Sequence, residues 1–232
     1  MSRTAIKRAI IKLLKEQNLA VIEQKLFQFP ETSLLNSLFT CLCHADEPVR
    51  WHAVSGFGLV VAEIAERDLE KARTVMRRCL WMLNDESGGI GWGVPEAMAE
   101  VMYHHQTLAE EYIHMLVSYT VDDGPEQFQD GNFLELELLQ QGVLWGLGRV
   151  APRYRELLLE KNIGDNLSIY FDSPDSQVRG LVCRLAGNLR LARFRAQLSL
   201  ASADQAPFRY YDQGVFQDSE VAAEAGLALA RI

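Results

Sequence analysis

No uninterrupted apolar stretch in the 232-residue sequence reaches the roughly 18 residues that a membrane-spanning helix requires, so no integral membrane segment is expected. Cysteine is scarce. The four present, Cys41, Cys43, Cys79 and Cys183, all lie in apolar helical patterns where a reduced thiol packs as a small hydrophobe, which points to a reducing cytoplasm. Cys41 and Cys43 are two apart, so on one helix their side chains diverge and cannot share a metal. Positive charge is in deficit: 23 Lys and Arg stand against 31 Asp and Glu, a formal charge of -8. That balance opposes phosphate-backbone binding, and no nucleic-acid partner is expected. The opening segment, Met1-Ser-Arg-Thr-Ala-Ile-Lys-Arg, interleaves apolar residues with basic ones and lacks the continuous hydrophobic block of a secretory signal. A series of strands is also missing; the one extended piece expected is Phe208-Arg-Tyr-Tyr-Asp-Gln-Gly-Val-Phe216, centred on a turn.

What is there is a repeat. Five segments align without gaps: VRWHAVSGFGLV from Val49, IGWGVPEAMAEV from Ile90, LQQGVLWGLGRV from Leu139, VRGLVCRLAGNL from Val178 and VAAEAGLALARI from Val221. Their starts lie 41 (49 to 90), 49 (90 to 139), 39 (139 to 178) and 43 (178 to 221) residues apart, bracketing the roughly 40 to 47 of HEAT and armadillo units. Most copies carry small residues seven and nine positions on: Gly56 and Gly58, Ala97 and Ala99, Gly146 and Gly148, Ala228 and Ala230. Such pairs let helices approach closely. The fourth copy departs, with Leu185 and Gly187.

A first helix is predicted before each segment, at about 31–45, 67–83, 107–120, 153–162 and 189–201. Residues 1–30 are read as an N-terminal helical cap and 31–232 as repeats of one domain, 1–232. The fold class expected is all-α, an α-solenoid (superhelix) of about five HEAT-like helical pairs. The first predicted helix carries Arg3, Lys7, Arg8, Lys12 and Lys15 around an apolar stripe of Ile6, Ile10, Leu13 and Leu14. Both a terminal cap and a helix that docks on an anionic surface look like this.

Two segments follow acidic, proline-containing turns, Asp46-Glu-Pro-Val49-Arg50 and Asp172-Ser-Pro-Asp175-Ser-Gln-Val178-Arg179. An acidic residue there caps the helix start while proline suits the first turn. The pattern resembles the second helix of the HEAT-like repeats of phycobilisome lyases and related bacterial proteins, in which Asp, a valine–arginine pair, alanine and glycine recur. The resemblance covers about residue 31 onward and is good in the first and fourth copies. It implies an architecture shared by scaffolds, lyases and hydroxylases, and leaves the activity open.

Four turns between paired helices are enlarged: 84–95, 121–132, 164–175 and 202–217. Equivalent insertions in a solenoid gather on one edge and often bind. The segment Asp85-Glu-Ser-Gly-Gly-Ile-Gly-Trp-Gly-Val-Pro95 holds four glycines, each costing about 1 kcal/mol inside a helix, so it is a formed loop with the helix beginning near Pro95. Glu96 and Glu100 follow in the first turns and disfavour a phosphate there. The glycines either let Trp92 pack across a tight turn or present a ligand-binding backbone.

In register, the second helices place Trp51, Trp92 and Gln141 at one level, Ser55, Glu96 and Trp145 four residues on, and Leu59, Glu100 and Arg149 four further on. Together with His52, beside Trp51, this makes an aromatic and polar row for the concave face, a composition typical of interaction hot spots, although tryptophan at helical spacing also serves in cores. No His or Cys pair has metal-ligand spacing beside a carboxylate, so no metal and no cofactor are expected, and no catalytic residue is assigned. The loop 121–132 is acidic but lacks the alternating ligands of a calcium loop.

The reading that follows is a non-enzymatic, cytoplasmic adaptor or scaffold for a protein or peptide, with Trp51, Trp92 and Trp145 as anchors and Glu96, Glu100, Gln141 and Arg149 setting polarity; the oligomeric state is left open. The alternative is a small-molecule-binding or lyase-like accessory protein with a pocket around Trp92, Glu96 and Glu100, where a carboxylate pair one turn apart could serve acid/base work. A third is an anionic-surface binder that uses the first helix.

Overall fold

The computed structural model describes residues 2–84, 91–122 and 131–232. The chain falls into two compact units, Met1–Leu108 with Tyr211–Val215, and Ala109–Tyr210 with Phe216–Ile232. No helix among the described residues is long and apolar enough to cross a membrane.

The first unit contains α1 (Arg3–Leu14), α2 (Leu19–Leu26), α3 (Glu31–Cys41), α4 (Glu47–Arg67), α5 (Leu69–Leu83) and α6 (Val94–His104). Polar caps fix the starts: the side chains of Ser2, Asn18, Asp46 and Asp68 accept from the amides of Ala5, Ala20, Val49 and Lys71. Pro48 occupies the first turn of α4, as the acidic turn predicts. The apolar stripe of α1 is buried, with α1 packed on α3 and α4. The face a membrane helix would offer to lipid is therefore spent on the core.

Helix α4 is apolar almost all round and is the hub of this unit, packed against α1, α2, α3, α5 and α6. Its closest approach is to α6. A Cβ added at Gly58 would stand 2.5 Å from Glu100 Cβ and 2.8 Å from the Glu100 carbonyl carbon, so only glycine fits. A Cβ at Gly56 would meet Leu26 Cδ1 at 2.7 Å.

The second unit takes α7 (Gln106–Ser118) from Ala109 on, then α8 (Glu137–Glu160), α9 (Ser176–Leu189), α10 (Arg195–Ala201) and α11 (Val221–Leu229), with short 3-10 turns at Ile163–Asp165, Ser168–Asp172 and Ala192–Phe194. Helices α8, α9 and α11 pack in succession. Gly187 of α9 fits against Ala228 of α11, where a Cβ would stand 2.8 Å from the Ala228 Cα. The fourth copy thus keeps one of its small positions for helix approach.

Strands β1 (Pro207–Asp212) and β2 (Val215–Glu220) form a two-stranded sheet. Gln213 (φ 47°) and Gly214 (φ 95°) between them are both left-handed, as a tight I′ hairpin turn requires. This is the extended piece expected at 208–216.

Several boundaries differ from the sequence reading. The helix predicted at 153–162 is not separate: it continues α8 across a kink at Tyr154 (φ -125°, ψ 35°), just after Pro152. The one predicted at 189–201 begins only at Arg195, because Leu189 ends α9 and Arg190 adopts a left-handed cap. Cys41, Cys79 and Cys183 are buried, and burial pushes their thiols up to about 11, 12 and 12; Cys43 is instead exposed, since α3 has ended at Cys41. Residues 85–90 and 123–130, in two of the enlarged turns, lie outside the described residues.

The two small positions Gly58 and Gly148 should respond oppositely to alanine. Gly58→Ala must separate α4 from α6 and is expected to cost about 1–3 kcal/mol. A Cβ at Gly148 meets nothing within 4 Å, so Gly148→Ala in mid-helix should stabilise by roughly 0.5–1 kcal/mol. Urea unfolding of both variants checks the pair.

Candidate functional site

In the first unit, α4 presents Arg50, Trp51 and Ser55, and α6 presents Glu96 and Glu100. The segment Tyr211–Val215 also belongs to this unit. The Tyr211 ring stacks on the Trp51 indole at 4.9 Å and 15°, and its hydroxyl lies 3.3 Å from Ser55 Oγ. Trp51 is therefore only 7% exposed, and Tyr211 only 2%. An anchor expected to await a partner is covered by a tyrosine of the same chain. Burial pushes the Tyr211 hydroxyl up to about 12, with the carboxylates of Glu100 and Glu23 adding to the rise.

His52 is buried, and its Nδ1 lies 2.8 Å from the Leu14 carbonyl oxygen, one of the unpaired carbonyls at the end of α1. It ties α1 to α4, so the ring expected in the concave-face row is instead held in an internal polar contact. His44 does similar work in the preceding turn, its Nδ1 accepting from the Asp46 amide at 3.0 Å.

Trp92 precedes α6 and is not on its face. The helix starts at Val94, and Gly93 before it is left-handed (φ 73°), with a Cβ position 2.5 Å from the Leu42 carbonyl oxygen. Register alone therefore misplaces Trp92 on an inner helix row, since the backbone turns between it and Glu96. The indole is 40% exposed, and Gly88 and Gly89 lie outside the described residues. Gly93 is required by its conformation and by the close backbone of Leu42.

Glu100 is 4% exposed, backed by Gly58, with Oε2 3.3 Å from His104 Nε2. Glu96 is half-buried in the first turn of α6, and its Oε2 is shielded from solvent without a hydrogen-bond partner among the described residues. Burial raises its carboxyl from the ordinary 4.5 to about 7, against the pull of its own backbone amide and of the Arg50 guanidinium. Arg50 itself bonds Glu47 at 3.4 Å.

In the second unit, Gln141, Trp145 and Arg149 lie along α8. Gln141 Nε2 donates to Asp175 Oδ2 at 3.0 Å, while Asp175 Oδ1 caps α9 by accepting from the Val178 amide at 2.9 Å. Trp145 is 8% exposed and Arg149 half-buried. The structure thus gives Trp51 and Ser55 a common neighbour in Tyr211, and leaves Trp92 as the exposed indole of the sequence-predicted set. Tyr211 was the residue sequence reasoning missed. Its signal was an aromatic pair, Tyr210 and Tyr211, the second of them three residues ahead of Gly214 in a turn position.

No protein-family model matches the chain, and no curated protein matches its sequence. Solved structures do match. A designed armadillo repeat protein superposes with a TM-score of 0.54 at 15% identity, covering 96% of this chain and 98% of the other. Another, in complex with the peptide (KR)4, gives 0.51 at 16% identity over 96% and 98%. An engineered protein from a structural genomics consortium gives 0.53 at 14% over 97% of each chain. The fold is accordingly all-α, an α-solenoid of the armadillo-like helical-repeat type.

Glu96 makes stability pH-dependent in a defined direction. Its carboxyl holds a proton in the folded state up to about 7 and loses it in the unfolded state near 4.5, so stability falls as pH rises through that window, by at most about 3 kcal/mol. Glu96→Gln is expected to leave stability unchanged at pH 4 and raise it at pH 8, measured by urea midpoints at each pH.

Proposed function

We propose that this chain is a non-enzymatic helical-repeat scaffold, a single domain over 1–232, that binds a protein or peptide partner at α6 and the turn before it, receiving a lysine or arginine side chain at Glu96. The observation that carries this reading is the buried Oε2 of Glu96, which has no hydrogen-bond partner among the described residues. A buried acceptor left unmade is expensive, and a partner's ammonium or guanidinium would satisfy it while holding the carboxyl in its charged form. Trp92, exposed in the adjoining turn, offers the ring face that a cation favours, and the chain's net charge of -8 attracts a basic partner. The peptide (KR)4 bound by one designed repeat protein of this fold is of that chemical kind.

The remaining residues take supporting parts in this reading. Glu100 and His104 add polarity on α6, and the Trp51–Tyr211 stack with His52 holds α4 rigid behind it. Gln141, Trp145 and Arg149 hold the equivalent helix positions of α8 in the second unit. A cytoplasmic setting suits the reduced, buried thiols. The second reading, a small-molecule or lyase-like accessory protein suggested by the HEAT-like resemblance, is favoured by one observation: a carboxyl poised near 7 is suited to general acid/base work.

An octapeptide of alternating Lys and Arg, fluorescently labelled and titrated by anisotropy at low salt, separates these. Binding should strengthen between pH 6 and pH 8 as Glu96 ionises. Trp92→Ala and Glu96→Gln should each weaken it about three- to thirtyfold with no loss of melting temperature. Equal affinity across both variants would sink the adaptor site.

A further inference from the structure

The second unit holds an open cavity of about 740 Å³ between the kinked part of α8, the end of α9 and the residues after α11. That volume lies in the range of small-molecule sites. Three of its lining residues are arginines, Arg155, Arg190 and Arg231, and none is acidic. In a chain where acids outnumber bases, this is the opposite of the average surface.

Other arginines of the same unit are neutralised. Arg179 Nε donates to Asp204 at 2.8 Å, and Arg193 to Asp165. The three at the cavity touch no carboxylate among the described residues. Arg155 spends its Nε on the Leu189 carbonyl at 3.0 Å, Arg231 its Nη1 on Asn188 Oδ1 at 2.6 Å, and the Arg190 guanidinium makes no hydrogen bond or ion pair among the described residues. Each retains donors of its planar fork.

The backbone is arranged to hold them there. Pro152 has no N–H, so the carbonyl four residues earlier, on Gly148, loses its helical donor. Asn188 Nδ2 supplies one instead at 3.3 Å, which fixes the amide with Oδ1 turned to Arg231. Arg190 stands in the left-handed cap of α9 (φ 54°), where glycine is the usual residue, with its amide bonded to Gly187 and that of Leu191 to Ala186. A strained non-glycine cap that delivers an unpaired guanidinium to a cavity is a reason to look for function. Complementing the dipole at the end of α9 accounts for one such cation; it does not account for three around an open volume.

We propose that this cavity binds a small polyanion carrying phosphate groups. A tetrahedral phosphate accepts from several directions at once, which suits forks arriving from three separate segments, and the volume leaves room for more than one such group. The site is separate from the one proposed at α6.

Pyrophosphate titrated into the intact protein by isothermal calorimetry tests it, with citrate as a polycarboxylate of similar charge. Saturable pyrophosphate binding is expected, weakening steeply with salt. Arg190→Gly relieves the left-handed strain, so it should keep or raise the melting temperature while weakening pyrophosphate about tenfold; Arg231→Gln should weaken it similarly. The proposal is overturned by absence of saturable binding, by equal affinity of wild type and Arg190→Gly, or by citrate binding in preference to pyrophosphate.

Discussion

The first unit is organised by a contact that admits no side chain: the approach of α4 to α6 at Gly58. With a methyl group there the two backbones could not come within their present distance of Glu100. Because they do, Glu100 is pressed into the interior and Glu96, one turn earlier on the same helix, is carried under cover with it. The raised carboxyl of Glu96 is therefore a consequence of backbone packing as much as of its own position. A looser α4–α6 contact would wet both carboxylates and leave α6 an ordinary polar helix face.

The helical pairs were legible because their signals are local and periodic: Asp46 with Pro48, Asp175 ahead of Val178, and the small residues Gly56, Gly58 and Gly187 performed as their chemistry suggests, whereas Gly148 faces open space. The kink at Tyr154 was harder to place, since a proline near a helix boundary reads as a stop, whereas α8 carries on beyond it with one carbonyl rescued by a side chain forty residues away. The candidate site was legible in part. Residue types at register positions identified Trp51, Glu96 and Glu100, yet register assumes that the helix has begun, and Gly93 turns the chain between Trp92 and Glu96. Covering of Trp51 by Tyr211 is a contact across 160 positions, and no periodicity within either segment encodes it.

The two units use charge in different ways. Around α6 in the first, carboxylates are drawn inward and desolvated, with His104 and Arg50 as their nearest counterweights. In the second, arginines are set on main-chain carbonyls: Arg155 on Leu189, Arg179 on Ser173 and Pro174, Arg195 on Ile232. Where the helices there are broken or capped without glycine, guanidinium groups close the exposed ends of the backbone. An overall charge of -8 thus conceals neighbourhoods of opposite sign.

The stack of Tyr211 on Trp51 also sets an order of events during synthesis. Helices α1 to α6 leave the ribosome more than a hundred residues before Tyr211, an interval of roughly 5–20 s at about 5–20 residues per second. Through that interval the indole of Trp51 lacks the ring of Tyr211, and the hydroxyl of Ser55 lacks the phenol it meets in the finished protein. Until then the N-terminal helices lack one aromatic of their finished core. Completion of the first unit thus waits on a hairpin made more than a hundred residues after its last helix.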